Sequence, residues 1–150
     1  MSDLHRLNVY VAGNPLCSRD EIRSFMDYVI DNSPWLYLET DWLDELENSP
    51  KREEMPLEAY YNARIMTAHE DLRAVAECNV MVLFDAPIQS WGIYVELGAA
   101  LAAGKKVIVV NPSYLQVFYY HANVIVVENA GQAKDRLADL HAIETFAAGD

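Results

Sequence analysis

From Val80 to Phe84 the chain reads Val-Met-Val-Leu-Phe, with Asn79 before it and Asp85-Ala-Pro87 after it. A run this short, apolar at every position and rich in valine, reads as a strand over Asn79–Phe84 that is buried on both faces. Burying both faces requires helices above and below a parallel sheet, joined by right-handed crossovers. The rest of the chain supplies the parts. Leu7 to Ala12 is a short strand ending at Gly13, and Trp35 to Leu38, Val107 to Val110 and Val124 to Val127 are three more. Between them, helical spacing covers Asp20–Asp31, with Ile22, Phe25, Met26 and Val29 on one face, then Leu57–Cys78, Tyr94–Ala103 and Gln132–Phe146. Ser18 followed by Glu21 has the form of a capping box for the first helix. Gly104 suits the C′ position of the third, with Lys105 and Lys106 at its negative end. Glu39–Pro56 is acidic and proline-marked, and reads as a long loop holding a helical turn. The expected fold is therefore α/β: a flavodoxin-like, Rossmann-like doubly wound sheet of five parallel strands with helices on both faces, forming one domain over residues 1–150.

In such a sheet, ligands bind beyond the carboxyl ends of the strands, where strand order reverses. Three loops lie at those ends: Gly13–Ser18, Asp85–Gly92 and Asn111–Tyr120. Composition narrows what can bind. A net charge of −12 repels a nucleic-acid polymer, and no basic run offsets it. A small anion is still compatible with backbone N–H groups at a helix start. No apolar run approaches the roughly 20 residues of a membrane span, and Asp3, His5, Arg6 and Asn8 interrupt any signal sequence. Two isolated cysteines, Cys17 and Cys78, make no disulfide framework, so a reducing cytoplasm is the expected compartment. The four histidines lack metal-ligand spacing, and neither a Gly-x-x-x-x-Gly-Lys-Ser/Thr loop nor a Gly-x-Gly-x-x-Gly fingerprint occurs. No metal and no cofactor are expected.

The helix expected over Tyr94–Ala103 is almost wholly apolar, and Glu96 is its one charged residue before Lys105. Its neighbours at i−4, i+3 and i+4 are Gly92, Ala99 and Ala100, which leave room beside the carboxylate. A helix of this composition is buried nearly all round. In a first turn the dipole favours the ionised form of Glu96, whereas burial disfavours it. The acid is then either a complement to the dipole or a nucleophile. Asp71 shares a helical face with Arg64 and Thr67, as part of a solvated face or of a stripe lining a pocket.

Several segments, taken in order, resemble one family. They are Tyr10-Val-Ala-Gly13, Asp71-Leu72, Val80–Phe84 leading to Asp85-x-Pro87, Gly92-x-x-x-Glu96-Leu-Gly98-x-Ala100, and Gly104-Lys-Lys-Val107. Together they are similar to the nucleoside 2-deoxyribosyltransferases, a family that includes deoxynucleoside monophosphate N-glycosidases. The likeness spans residues 7–127 and is close over 80–110. It implies that Glu96 is the nucleophile attacking the anomeric carbon of a nucleoside or nucleotide. A covalent glycosyl-enzyme would form, and water or an acceptor base would then take the sugar with retention. It also implies that Asp71 hydrogen-bonds and helps protonate the leaving base, and that Tyr10 orients the nucleophile. Ser90, six residues before Glu96, matches the serine of the monophosphate hydrolases where the transferases carry an aspartate. Gly13, Gly92, Asp85 and Asn79 complete the substrate-binding positions. Asn79 stands where the family carries an aspartate, so that charge is missing here.

Relatives of this kind are dimers or larger, with a polar residue of the neighbour's loop completing the site; Gln116 is the candidate for that part. It belongs to Tyr114-Leu-Gln-Val-Phe-Tyr-Tyr120, an aromatic run that must pack on its own domain or on another subunit. A homodimer or higher homo-oligomer is expected. The competing function is a module on the same fold that binds a nucleotide without cleaving it.

Overall fold

The computed structural model describes residues 5–49, 51–85 and 91–148. Its five strands are β1 (Leu7–Gly13), β2 (Leu36–Leu38), β3 (Val80–Phe84), β4 (Lys106–Val110) and β5 (Val124–Val127). The helices are α1 (Pro15–Asp31), α2 (Trp42–Asn48), α3 (Leu57–Glu77), α4 (Trp91–Ala102) and α5 (Ala130–Ala148), with 3-10 turns at Arg52–Glu54 and Val117–Tyr120. All strand pairs are parallel and the order is β2-β1-β3-β4-β5, so the doubly wound sheet expected from the sequence is present. Strand order reverses between β1 and β3. No helix among the described residues is long and apolar enough to cross a membrane.

Alternation along each strand divides the core into two layers. Val9 and Val11 of β1, Val82 and Phe84 of β3, and Ile108 and Val110 of β4 pack with Ile22, Phe25, Met26 and Val29 of α1 and Ala133 and Leu137 of α5. Tyr10 and Ala12, Met81 and Leu83, and Val107 and Val109 face the other way, against Ala74 and Val75 of α3 and Ile93, Leu97 and Ala100 of α4. This parity decides the later chemistry, because it sends the Tyr10 side chain into the α3–α4 layer. Each fully buried aliphatic or aromatic side chain here stabilises the fold by about 1.5–3 kcal/mol.

Three local expectations are corrected. The first helix begins at Pro15, not Asp20: Asn14 is its cap, accepting a hydrogen bond from Leu16 N at 2.9 Å, and proline is suited to the first helical position. Ser18, expected as the cap, is instead a kink residue inside the helix, with φ −129° and ψ 24°. The acidic segment is more ordered than a loop. Asp41 caps α2 by accepting from Asp44 N at 3.0 Å, and it is also held by Arg23 at 2.8 and 2.9 Å. Finally, α4 begins at Trp91, three residues before the expected start, and this changes the setting of Glu96.

Candidate active site

A cleft of about 320 Å³ opens at the carboxyl ends of β1 and β3, the point of strand-order reversal. Tyr10 and Gly13 of β1, Pro15 of α1, Trp42 of α2, Arg64 and Asp71 of α3, and Gly92, Ile93 and Glu96 of α4 line it. Five elements, spread from residue 10 to residue 96, therefore meet at one place.

Glu96 is partly buried, beside the stripe of Ile93, Leu97 and Ala100 by which α4 packs on the sheet. It is the sixth residue of the helix rather than part of its first turn, which contains no acid. At 1.5 Å of rise per residue the positive helix end lies roughly 7–8 Å away, beyond the turn over which the dipole acts. Burial therefore dominates. It pushes the Glu96 carboxyl up to about 7, the negative charge of Asp71 adds to the rise, and a hydrogen bond from Tyr10 opposes it.

Tyr10 is buried at 1% exposure, and its hydroxyl donates to the Glu96 carboxylate. Its own proton is held far more tightly than in water, by burial first and then by the charges of Glu96 and Asp71. This hydroxyl is therefore a fixed donor across the whole working pH range.

Asp71 faces the same cleft from α3. Burial raises its carboxyl to about 6, with the charges of Glu45 and Glu70 adding to the rise. Its Oδ1 is buried and has no hydrogen-bond partner among the described residues. A buried acceptor of this kind is costly unless something else satisfies it, and the side chain stands in a cleft where a ligand can do so.

The other expected residues divide. Gly13 and Gly92 line the cleft. A side chain at Gly13 would start 2.6 Å from Ile22 Cδ1 and 3.3 Å from Phe84 Cβ, so any larger residue would push Ile22 out of its place where β1 turns into α1. Asp85 is not part of the lining and accepts a hydrogen bond from Tyr119 at 2.7 Å. Gln116 bonds to the same tyrosine and likewise stays outside the cleft. Asn79 sits before the amino end of β3, where its Oδ1 accepts from Asn8 N at 2.7 Å, a structural role away from the lining. Ser90 lies outside the described residues. Thr67 turns from the cleft, its hydroxyl donating to Ala63 O at 3.0 Å.

Arg64 was legible only as a neighbour of Asp71, and Trp42 only as the aromatic of the acidic Glu39–Glu54 segment, which reads from the sequence as a surface loop or as a lid over the base. Trp42 Nε1 donates to Val11 O at 2.7 Å, which fastens α2 over the end of β1. An aromatic side chain in an otherwise polar, Asp-capped helix was the available signal. Pro15 and Ile93 gave none.

No family model matches the chain, and comparison of its sequence with curated proteins gives no match. Among solved structures, it is similar to the CMP N-glycosidase BcmB of Clostridium botulinum, with a TM-score of 0.53 and 20% identity over 89% of this chain and 97% of that one. At that identity the likeness is one of fold: the chain shares its α/β architecture with a structure whose own activity is N-glycosidic.

Proposed function

We propose that this protein cleaves the N-glycosidic bond of a (deoxy)nucleoside or nucleoside 5′-monophosphate through a glycosyl ester on Glu96. The observation that carries this reading is the meeting of two carboxyls from different helices in one cleft, one of them held by a buried tyrosine. In the first step a Glu96 carboxylate oxygen bonds to the anomeric carbon. The carbon–nitrogen bond breaks, its electron pair leaves with the base, and the Asp71 carboxyl gives that base its proton. In the second step water attacks the same carbon and returns a proton to Asp71, freeing Glu96. An acceptor base in place of water makes the reaction a transfer. The Tyr10 hydroxyl holds the Glu96 oxygens in line and stabilises their charge until the bond forms.

A binding module without chemistry has no use for two acids that burial holds near neutrality, so catalysis is the better account. The neighbour's activity makes cytidine monophosphate the first substrate to try. Incubation with nucleosides and their monophosphates, with and without a second base, followed by chromatography of released base, tests the reading. Release without acceptor indicates a hydrolase, and release only with acceptor a transferase. Glu96→Ala turning over near the wild-type rate ends the proposal.

The protein is further proposed to act as a homo-oligomer. Of the aromatic run, Tyr119 is buried against its own domain, whereas Tyr114, Val117, Phe118 and Tyr120 are exposed. Those four, and the exposed apolar residues Tyr61 and Ile65 of α3 and Trp91 and Val95 of α4, are available to a second copy.

A further inference from the structure

A second cavity, of about 270 Å³, lies between the segment after α2 and the first half of α3. Arg64 lines both this cavity and the cleft of Glu96, so the two are neighbours across one side chain. Lys51 and Arg52 bring two more cations to its wall, and Glu53 is the one acid there. Tyr60 and Met55 supply apolar surface.

The chain has 11 Lys and Arg against 23 Asp and Glu. Arg19, Arg23, Arg73 and Arg136 are each paired with carboxylates. Lys51, Arg52 and Arg64 are in no ion pair among the described residues; Arg64 Nε donates to the Tyr60 hydroxyl at 3.2 Å. Arg6, Lys105, Lys106 and Lys134 are likewise in no ion pair among the described residues, but none of them lines this cavity. What sets the cavity apart is that it gathers three cations against one acid. In a chain with such an excess of acid, three unneutralised cations around one cavity form a local field that selects anions. Guanidinium forks meet the oxygens of a phosphate or carboxylate two at a time, and the lysine adds a point charge.

We propose that this cavity is an oxyanion-binding site, taking a phosphate or carboxylate group next to the catalytic cleft. The group belongs either to a free anion or to the ligand that occupies the cleft. The assignment rests on the cation geometry alone and stands whether or not Glu96 is a nucleophile.

Titrating the isotopically labelled full chain with inorganic phosphate tests it, with backbone amide signals as the readout. The amides of Lys51–Met55 and Tyr60–Thr67 should shift saturably. The double variant Lys51→Ala/Arg52→Ala should bind about tenfold more weakly or worse. Both side chains are exposed, and unchanged signals elsewhere will show that the variant is folded. Glu96→Gln should bind phosphate as the wild type does, which separates this site from the catalytic reading. Adding cytidine monophosphate then distinguishes the sources. Displaced phosphate means that the ligand's own oxyanion occupies the site, and retained phosphate means a separate anion. Shifts that do not saturate, that spread over the surface, or that persist at full affinity in the double variant overturn the proposal.

Discussion

The Tyr10 hydroxyl, on a strand in the middle of the sheet, hydrogen-bonds to the Glu96 carboxylate, on a helix 86 residues further along the chain. Strand parity makes this bond possible. Tyr10 and Met81 are register partners, and both project into the α3–α4 layer. A one-residue slip of β1 would place Tyr10 against α1 instead and leave Glu96 without its donor.

Tyr10→Phe isolates that bond, because it keeps the buried ring and removes only the hydroxyl. The hydrogen bond lowers the proton affinity of Glu96, so its loss raises the Glu96 pKa above its present value of about 7. Less nucleophile is then ionised at neutrality. Base release should fall on the order of tenfold or more near pH 7, with part of the loss recovered at higher pH. Initial rates between pH 5 and 9 check this. A variant whose pH–rate profile superimposes on the wild type would show that the hydroxyl has no orienting role.

Asp71 and Glu96 together set the pH dependence. The proposed mechanism needs one proton across the pair, on Asp71, with Glu96 ionised. Because Glu96 at about 7 is the weaker acid and Asp71 at about 6 the stronger, this is the minor of the two singly protonated forms. With the two carboxyls raised to about 6 and about 7, kcat/KM should be bell-shaped with its maximum between these values, and its limbs belong to the pair. Asp71→Asn removes the negative charge that helps raise Glu96. The proton that Asp71 must hold sets the basic limb, so in Asp71→Asn that limb should disappear and the rate should rise to a plateau as Glu96 ionises, while kcat falls by roughly 10²–10⁴ through loss of the proton donor. A basic limb that persists in Asp71→Asn would mean that Asp71 is not the group that must hold the proton.

Much of this site was legible because it follows from single elements. The Val80–Phe84 run announced a strand covered on both faces, and Glu96 stood out as the one acid in an apolar helix. Asp71 was visible through the family resemblance, and its seven-residue spacing from Arg64 left a solvated face and a pocket stripe equally open; in the structure both residues line one cleft. Contacts made between elements were not legible. Trp42 reaches the cleft only because its indole finds Val11 O across 31 residues, and no local pattern encodes that bond. Asn79 carried a motif position yet serves the backbone of Asn8, since a carboxamide is as useful to an unpaired strand N–H as to a ligand. The start of α4 was misjudged because Trp91-Gly-Ile has a weak intrinsic helix preference, which packing of Ile93 against the sheet overrides.

Glu96 should also cost the protein stability. Its folded pKa of about 7 lies above the ordinary 4.5, so between these values the folded state binds more protons than the unfolded chain. Stability from this group therefore decreases as pH rises through that window, and Asp71 acts in the same direction. Glu96→Gln keeps an acceptor for Tyr10 and removes the charge. At about pH 8 it should be more stable than wild type by roughly 1–3 kcal/mol, with the gain vanishing below about pH 4. Urea midpoints at the two pH values measure this. A variant no more stable at pH 8 would contradict the desolvated carboxylate on which the catalytic reading depends.

Oligomerisation is open to an equally direct test on α3 and α4, which pack against each other. Trp91 and Val95 of α4 are 77% and 61% exposed, and a side chain built at Gly98 would meet nothing within 4 Å. Tyr61, Ile65 and Leu72 of α3 are likewise exposed, at 57%, 55% and 44%. Spacings of four, three and seven residues align each set along one helical face, so the apolar surface is continuous along both helices instead of scattered. A second copy covering this surface would remove the apolar stripe from water, and this gain has to exceed the repulsion between two chains of charge −12. Light scattering should give a multiple of 17.0 kDa for the wild type and 17.0 kDa for Val95→Glu, whose added carboxylate would be buried unpaired in the contact. Gly92 joins this face to the cleft, so activity should fall together with assembly. A wild type of 17.0 kDa at every concentration would remove the homo-oligomer from the proposal and leave the cleft to act alone.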